Sequence, residues 1–356
     1  MIDADRTVWQ SARRRLFRPV DGLFLALTVA CALGLRIPDA LQYVPFLVSL
    51  VLLGLPHGAL DHLVPSRLAG REPDARGIAR VVLLYLVVGA VVLALWFMSP
   101  TLGFVAFILT TWFHWGQGDV FVEATREGAG TPSRATRVGM LLVRGALPML
   151  VPLVAAPDEY LRVFRDTTGV LAVSSEQVPL ALDDPAVRVA LAAALAALIV
   201  MTFVGTARAR WSTGAGRRAW WGDLGEVVLL AAFFWAVPPI LAVGLYFCLW
   251  HSLRHIVRLS LLDPASRRPL ERGRPAAALG RFALQSAPVT VVALVLLVVL
   301  FVVAPGSATG DGALLGLYLV LISALTLPHV VIVSLMDRRQ AVWASVPRPA
   351  SSTPAS

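Results

Sequence analysis

Long apolar segments, separated by short polar stretches, dominate the hydropathy pattern of this chain. About 20 apolar residues are needed to cross the hydrocarbon core of a membrane. Segments of this length also exclude a barrel built from strands of roughly ten residues. The pattern therefore predicts an all-α fold, a polytopic integral-membrane helical bundle with about ten (eight to ten) transmembrane helices. The segments are 22–36, 42–62, 79–98, 101–122, 138–156, 187–206, 224–242, 243–262, 282–304 and 312–336.

Three regions follow from this pattern. We expect a basic N-terminal arm (1–21), a single transmembrane domain (22–338) and a disordered C-terminal tail (339–356). The arm and the Pro/Ser-rich tail carry no motif, and both are predicted to be disordered. The weakest boundaries are the short first segment and the junction of segments seven and eight, where only Pro238 and Pro239 break the helix.

Arginines alternate between the loops that connect the ten segments. The N-terminus, the even-numbered loops and the C-terminal end are rich in arginine, whereas the long loop 157–186 is acidic and loop 305–311 has no cation. By the positive-inside rule both termini are cytoplasmic. The rule also explains the net charge of +9, so no nucleic-acid partner is expected.

Composition agrees with a membrane protein. Hydrophobic residues make up 57% of the chain, against about 45–50% in soluble domains, and the mean hydropathy is +0.74. Cys31 and Cys248 both lie in apolar segments, so no disulfide framework is predicted. No convincing cleavage site follows the basic stretch 13–18, so a cleaved signal is not expected either.

The six histidines are the most informative polar residues. Ionisable side chains are costly in hydrocarbon and usually functional there, and imidazole is the commonest protein ligand of transition metals. The predicted topology puts all six at a similar depth, in the cytoplasmic half of four co-oriented helices. They lie in GLPHGALDH (54–62, His57 and His62), TWFHWGQGD (111–119, His114), FCLWHSLRH (247–255, His251 and His255) and LTLPHVV (325–331, His329).

Spacing and depth favour four of these histidines as metal ligands. His251 and His255 are four residues apart and share one helix face, and His57 and His114 are expected at the same depth. The alternative for the pair is hydrogen bonding to neighbouring helices. His62, nearer the membrane interface, is not expected to bind metal.

Three further polar residues have roles that the spacing leaves open. Asp61 and Asp119 lie four and five residues after candidate ligands, where a carboxylate can accept the second N–H of a metal-bound imidazole. Solvation of the helix end is the alternative for both. His329 is open to three interpretations: a further ligand, a hydrogen-bond partner of a ligand, or a polar residue bonded to a neighbouring helix.

Neutral imidazoles without a thiolate favour Fe(II) and, less decisively, zinc or copper. Their lack of charge leaves the charge of the ion uncompensated, which favours binding of an anionic or readily reduced ligand such as O₂. A bis-histidine haem protein stays open. Aromatic residues beside the histidines are candidates to wall an apolar channel, with lipid-facing anchoring as the alternative. They are Trp112, Phe113, Trp115, Tyr246, Phe247 and Trp250.

Several enzyme classes lack their motifs in this chain. It contains no H-E-x-x-H, no G-x-S-x-G elbow and no lysine for a Walker A loop. Six histidines are also too few for the boxes of membrane di-iron desaturases.

Together, GLPHGALDH, FHWGQGD, YFCLWHSLRH and the late LPH resemble the Brp/Blh family (bacteriorhodopsin-related protein and its homologues), in the same order from the second span to the tenth. The strings P-H-G-x-x-D-H and W-H-S-x-R-H are specific in combination. The resemblance implies an integral-membrane β-carotene 15,15′-dioxygenase, in which an iron centre held by histidines cleaves the central double bond with O₂. By position, the essential histidines of the family correspond to His57, His114, His251 and His255.

The resemblance implies that region 22–338 is a catalytic domain that uses Fe²⁺ and O₂ to convert β-carotene into two molecules of all-trans-retinal. We expect a multi-pass protein of the cell membrane, in contact with lipid and functionally linked to a microbial rhodopsin. The alternative is a non-enzymatic carotenoid or retinal carrier, or an opsin assembly factor. A metal- or haem-binding transporter ranks third, because the polar residues cluster on the inner side only.

Overall fold

A computed structural model describes residues 5–125, 133–171, 182, 184–304 and 311–343 of the chain. These residues form helices and contain no strand, which confirms the all-α prediction. Eight of the described helical stretches are long and apolar enough to cross a membrane. The count lies within the predicted range of eight to ten, and the architecture is that of a polytopic membrane bundle.

The α-helices of the first half lie between residues 6 and 169. They are α1 (Arg6–Ala12), α2 (Arg18–Ala32), α3 (Asp39–Gln42), α4 (Val44–Val51), α5 (Val64–Leu68), α6 (Ala75–Met98), α7 (Pro100–Ala124), α8 (Arg134–Ala155) and α9 (Pro157–Gly169).

The α-helices of the second half lie between residues 185 and 339. They are α10 (Pro185–Arg210), α11 (Gly214–Ala236), α12 (Pro239–Leu245), α13 (Leu253–Ser260), α14 (Pro264–Glu271), α15 (Pro275–Val303) and α16 (Asp311–Arg339).

Two of the ten predicted spans are not among the eight described helical stretches that are long and apolar enough to cross a membrane. α2 has 15 residues, too few to cross the hydrocarbon alone. α7 is long enough, with 25 residues, but its second half carries His114, Gln117 and Asp119, which lower its hydropathy.

The N-terminal arm is folded, so its predicted disorder is wrong for the described residues. α1 continues through a π-helical turn (Arg13–Phe17) into α2, and Val8, Trp9 and Phe17 are buried in the main core. The segment forms an amphipathic helix, whose apolar face packs on the bundle. Its many arginines led to the prediction of disorder. Residues 1–4 lie outside the described part of the chain.

Order also continues past the predicted start of the C-terminal tail at 339. Val342 is buried, and its carbonyl accepts a hydrogen bond from Arg137 Nη1 at 2.7 Å. Residues 344–356, the rest of the predicted tail, lie outside the described part.

The second span is not one regular helix. α4 ends at Val51, and two 3₁₀ turns, Leu55–Gly58 and Asp61–Leu63, lead into α5. Pro56 lacks the N–H that would continue an α-helix, and Gly54 and Gly58 weaken it. The span therefore crosses as short helical pieces, with His57 in the first 3₁₀ turn.

The junction of spans seven and eight lies nearer the N-terminus than predicted. α11 begins at Gly214 and ends at Ala236, and α12 begins at Pro239, whereas the predicted boundary was 242/243. The two prolines do break the helix, as expected from their fixed φ and missing donor.

The central helices are distinct from the peripheral ones. Within Pro239–Ser260, 83% of the most apolar window is buried, against 17% in Ala75–Met98 and Pro185–Arg208. α8 packs against α7, α10 and α11, while α16 packs against α6, α7 and α9. The exposed sides of α6, α10 and α15 are apolar, as expected where a helix faces lipid.

Candidate metal centre

Five of the six histidines meet in one cluster inside the bundle. They come from the first 3₁₀ turn (His57), α7 (His114), a π-helical turn at Tyr246–Ser252 (His251), α13 (His255) and α16 (His329). The ring centroids of His114 and His251 are 4.6 Å apart, and those of His255 and His329 are 4.9 Å apart. Segments far apart in sequence thus converge laterally. The sequence predicted only that the histidines lie at a similar depth in the membrane.

The cluster holds nitrogens suited to a metal ion. His114 Nε2 and His251 Nε2 are 3.0 Å apart. For metal–nitrogen bonds of about 2.0–2.1 Å, two ligands at right angles have nitrogens about 3 Å apart. His255 Nε2 and His329 Nε2 are buried and have no hydrogen-bond partner, an unfavourable state unless an ion or water occupies the space between them.

The tautomer of His57 is set by its own turn. Its Nδ1 contacts the carbonyl of Gly54. A carbonyl only accepts, so Nδ1 carries the proton and Nε2 keeps a lone pair for a metal. His57 is partly buried, whereas the other four cluster histidines are buried.

Local backbone features bring the rings together. The π-helical turn at Tyr246–Ser252 widens the helix where His251 leaves it, as such turns often do at functional sites. Its ring remains nearly parallel to that of His255, at an angle of 9°. A Cβ on Gly58 would lie 3.3 Å from His329 Nδ1, and one on Gly118 would lie 3.4 Å from His251 Nδ1. Both glycines therefore permit close approach of a cluster histidine.

Asp61 is a hydrogen-bond partner within the site, but of His329 and not of His57 as predicted. Its Oδ2 lies 2.6 Å from His329 Nδ1 and accepts a hydrogen bond from Tyr85 OH at 2.5 Å. The 3₁₀ turns cause the difference, because they remove the helical i, i+4 relation between His57 and Asp61. Tyr85 was missed, since no motif in α6 marks it.

Asp119 does not contact His114, so the predicted pairing is wrong. Its carboxylate accepts hydrogen bonds from Trp250 Nε1 at 3.1 Å and Arg254 Nη1 at 3.2 Å. It also lies 3.6 Å from Arg144 Nη1. Asp119 therefore belongs to a buried ionic network beside the histidine cluster.

That network was missed by sequence reasoning. Arg144 Nη1 donates to Glu226 Oε2 at 2.9 Å and its Nη2 lies 3.6 Å from Asp223 Oδ1. Asp223 in turn pairs with Arg210, which also pairs with Glu123. A single arginine inside the apolar segment 138–156 was the available signal.

His62 is not among the five clustered histidines. Its Nδ1 is 3.0 Å from the carbonyl oxygen of Ala59, and its side chain is half-buried. It takes no part in the groups of ligand atoms close enough to share an ion, which are His57, His114 and His329, and Asp61, His255 and His329.

An apolar cavity adjoins the cluster. His57 and His114 form part of its wall, and so do Trp115 and Phe247, two of the six candidate channel residues. Its other walls come mainly from α7, α8, α9, α12 and α16, with Phe46 of α4, and they are almost entirely apolar or aromatic. An apolar molecule in this cavity would therefore lie against His57 and His114.

The other four predicted channel residues do not line this cavity. Trp112 packs against α8 and donates to the Leu142 carbonyl at 2.9 Å, and Phe113 is 41% exposed on the outer surface. Tyr246 and Trp250 are fully buried in the core. A helix turns by about 100° per residue, so neighbours of a cavity residue point away from it.

Comparison with known proteins agrees with these observations. The sequence model of the β-carotene 15,15′-dioxygenase family matches residues 48–337. The chain belongs to this family. It is 39% identical over 343 residues to a probable β-carotene 15,15′-dioxygenase Blh of Halobacterium salinarum, covering 93% of this chain and 96% of that protein. All five cluster histidines fall within the matched range.

Two further relatives are more distant. A probable β-carotene 15,15′-dioxygenase Brp of Halobacterium salinarum is 29% identical, covering 90% of both chains. A β-carotene 15,15′-dioxygenase of an uncultured marine bacterium is 22% identical over 59% of this chain and 66% of that protein. No solved structure matches this chain.

Proposed function

We propose that this protein cleaves the central double bond of β-carotene with O₂ to give two molecules of all-trans-retinal, in a reaction that depends on Fe²⁺. The observation that carries the proposal is the contact between the histidine cluster and the apolar cavity, in a chain of the β-carotene 15,15′-dioxygenase family. The cell membrane is the proposed location, and retinal supply to a microbial rhodopsin the proposed role.

His57, His114, His251 and His255 are the proposed iron ligands. Neutral imidazoles suit ferrous iron, and the unpartnered Nε2 of His255 and the paired Nε2 atoms of His114 and His251 fit an ion. When bound, the iron would supply the redox chemistry that activates O₂. The Gly54 carbonyl holds His57 in the tautomer that offers Nε2.

The cavity is the proposed carotenoid site. Its walls are almost entirely apolar and offer few hydrogen-bonding groups, which suits a polyene hydrocarbon. Because a symmetric polyene has many similar double bonds, selection of the central one depends on where the cavity ends stop the molecule. Trp115 and Phe247, next to the histidines, would hold the polyene against the cluster.

A carotenoid or retinal carrier is the alternative, since it needs the cavity as well. It does not need unpartnered imidazole nitrogens buried within the histidine cluster, which are costly without an ion. This cost favours the enzyme.

Pigment analysis in a β-carotene-accumulating bacterial host tests the proposal. Expression of the wild type is expected to deplete β-carotene and yield retinal, while His251→Ala yields none and leaves the carotene. The control His62→Ala, outside the cluster, is expected to match the wild type. Unchanged carotene with folded wild-type protein in the membrane would refute the enzyme and favour the carrier.

A further inference from the structure

We infer that His329 is a fifth ligand of the metal ion, held in place by Asp61 and Tyr85. The inference rests on the proposed function, because it concerns the same centre. It assigns a ligand on α16 and a hydrogen-bonded pair behind it, neither of which belongs to the four-histidine set.

His329 lies in the middle of the cluster. Its ring centroid is 4.8 Å from that of His114 and 4.9 Å from those of His57 and His255. Ligand atoms of His57, His114 and His329 all lie within 4.8 Å of one another. If His329 did not bind the ion, its ring would separate the proposed ligands that surround it.

The hydrogen bonds of His329 leave one nitrogen free. Nδ1 is 2.6 Å from Asp61 Oδ2, so an ionised Asp61 fixes the proton on Nδ1 and the lone pair on Nε2. His329 Nε2 is buried and has no hydrogen-bond partner. A carboxylate on one ring nitrogen and an empty position at the other is the usual arrangement of a metal-binding histidine.

Tyr85 completes the arrangement. Its hydroxyl donates to the same Asp61 oxygen at 2.5 Å. The bond keeps Asp61 in one orientation, in a buried place where a carboxylate with few partners would be costly. The negative charge of Asp61 would also offset part of the charge of an ion bound by neutral imidazoles.

Metal binding is measured on the purified, detergent-solubilised full chain. The protein is dialysed anaerobically against a series of Fe(II) concentrations, and bound iron per chain is determined by elemental analysis. His329→Ala is expected to raise the dissociation constant about 100-fold or more, beyond the range of about 10–100-fold typical for partners of ligands. Asp61→Asn is expected to raise the dissociation constant for Fe(II) by about 10–100-fold.

His329→Asn separates a ligand from a structural partner. The Asn amide nitrogen can replace Nδ1 and keep the bond to Asp61, but it offers nothing in place of Nε2. We expect this variant to bind Fe(II) as poorly as His329→Ala while its metal-free form melts like the wild type. His62→Ala controls for loss of a histidine in general and is expected to bind normally.

Two outcomes would overturn the inference: Fe(II) binding by His329→Asn as tight as in the wild type, or no Fe(II) binding by the wild type itself. If His329→Ala does not fold, His329→Asn and Asp61→Asn decide the matter. Retinal formation by the same wild-type preparation tests the proposed function separately, since tight Fe(II) binding that depends on His329 can occur without cleavage.

Discussion

Individual residues of the histidine cluster were predictable only where an unusual residue type stands out in the sequence. Histidine in an apolar segment is such a residue type, so His57, His114, His251 and His255 could be selected from the sequence as candidate metal ligands. The partners could not: Tyr85 bonds to Asp61 across a helix interface, and Asp119 turned out to bond to Trp250 and Arg254. Such pairings depend on helix rotation, which spacing along one helix does not determine.

Arg144 is the residue on which the buried charges depend. It lies between Asp119, Asp223 and Glu226 and is itself 1% exposed. Removing one member of a buried ionic network leaves the others uncompensated.

Arg144→Leu should therefore destabilise the protein by about 3–5 kcal/mol. Thermal unfolding in detergent measures the effect as a lowered melting temperature. Arg217→Leu, at an exposed arginine, is the matched control and should change stability by no more than about 0.5 kcal/mol. Equal melting of the two variants would show that the network contributes little.

At the level of elements, the existence of the helices was predictable and their breaks were only partly so. Apolar length gave the spans, and Pro238 and Pro239 marked a break that is present. The 3₁₀ turns at His57 were not predicted, although Pro56 and its neighbouring glycines are signals for such a break. The π-helical turn at His251 was not predicted because no proline or glycine in Tyr246–Ser252 marks it. The folded N-terminal helix was missed because its arginines outweighed its apolar face.

Glycines set the distance between α7 and α8. An added Cβ on Gly116 would overlap the Leu141 carbonyl, and one on Gly145 would overlap the Trp112 carbonyl. Small residues at such crossings let membrane helices pack closely. His114 lies on α7 between these contacts, so helix spacing also positions this histidine.

Gly145→Ala is accordingly expected to cost about 1–3 kcal/mol through overpacking, measured by thermal unfolding. Gly225→Ala is the control: this glycine is also helical, but nothing lies within 4 Å of an added Cβ. It should be neutral or stabilise by up to about 1 kcal/mol. A harmless Gly145→Ala would contradict the close-approach argument.

In the whole molecule, the histidine cluster and the apolar cavity share a wall. Among the described spans, Pro239–Ser260, which carries His251 and His255, is the most buried, and the outer helices α6, α10 and α15 are the least buried. Membrane depth and the motif order anticipated the cluster. The cavity could not be derived, because it is bounded by parts of α7, α8, α9, α12 and α16.

Filling this cavity should impair cleavage without affecting metal binding. Val243 lines it, and Val243→Trp is expected to reduce β-carotene turnover about tenfold or more by displacing the polyene. Bound iron per chain should stay at the wild-type value. Val299→Trp, at a half-exposed position on α15, is the control. If Val243→Trp cleaves β-carotene as fast as Val299→Trp does, this cavity is not the substrate site.

Product analysis with purified protein tests the central claim most directly. The protein is loaded with Fe(II), supplied with β-carotene and O₂, and its aldehyde products are separated by length and counted. We expect two molecules of retinal for each β-carotene consumed by the wild type, and none from His57→Ala. Carotene that stays intact with the iron-loaded protein, or aldehydes of unequal length, would contradict the central claim.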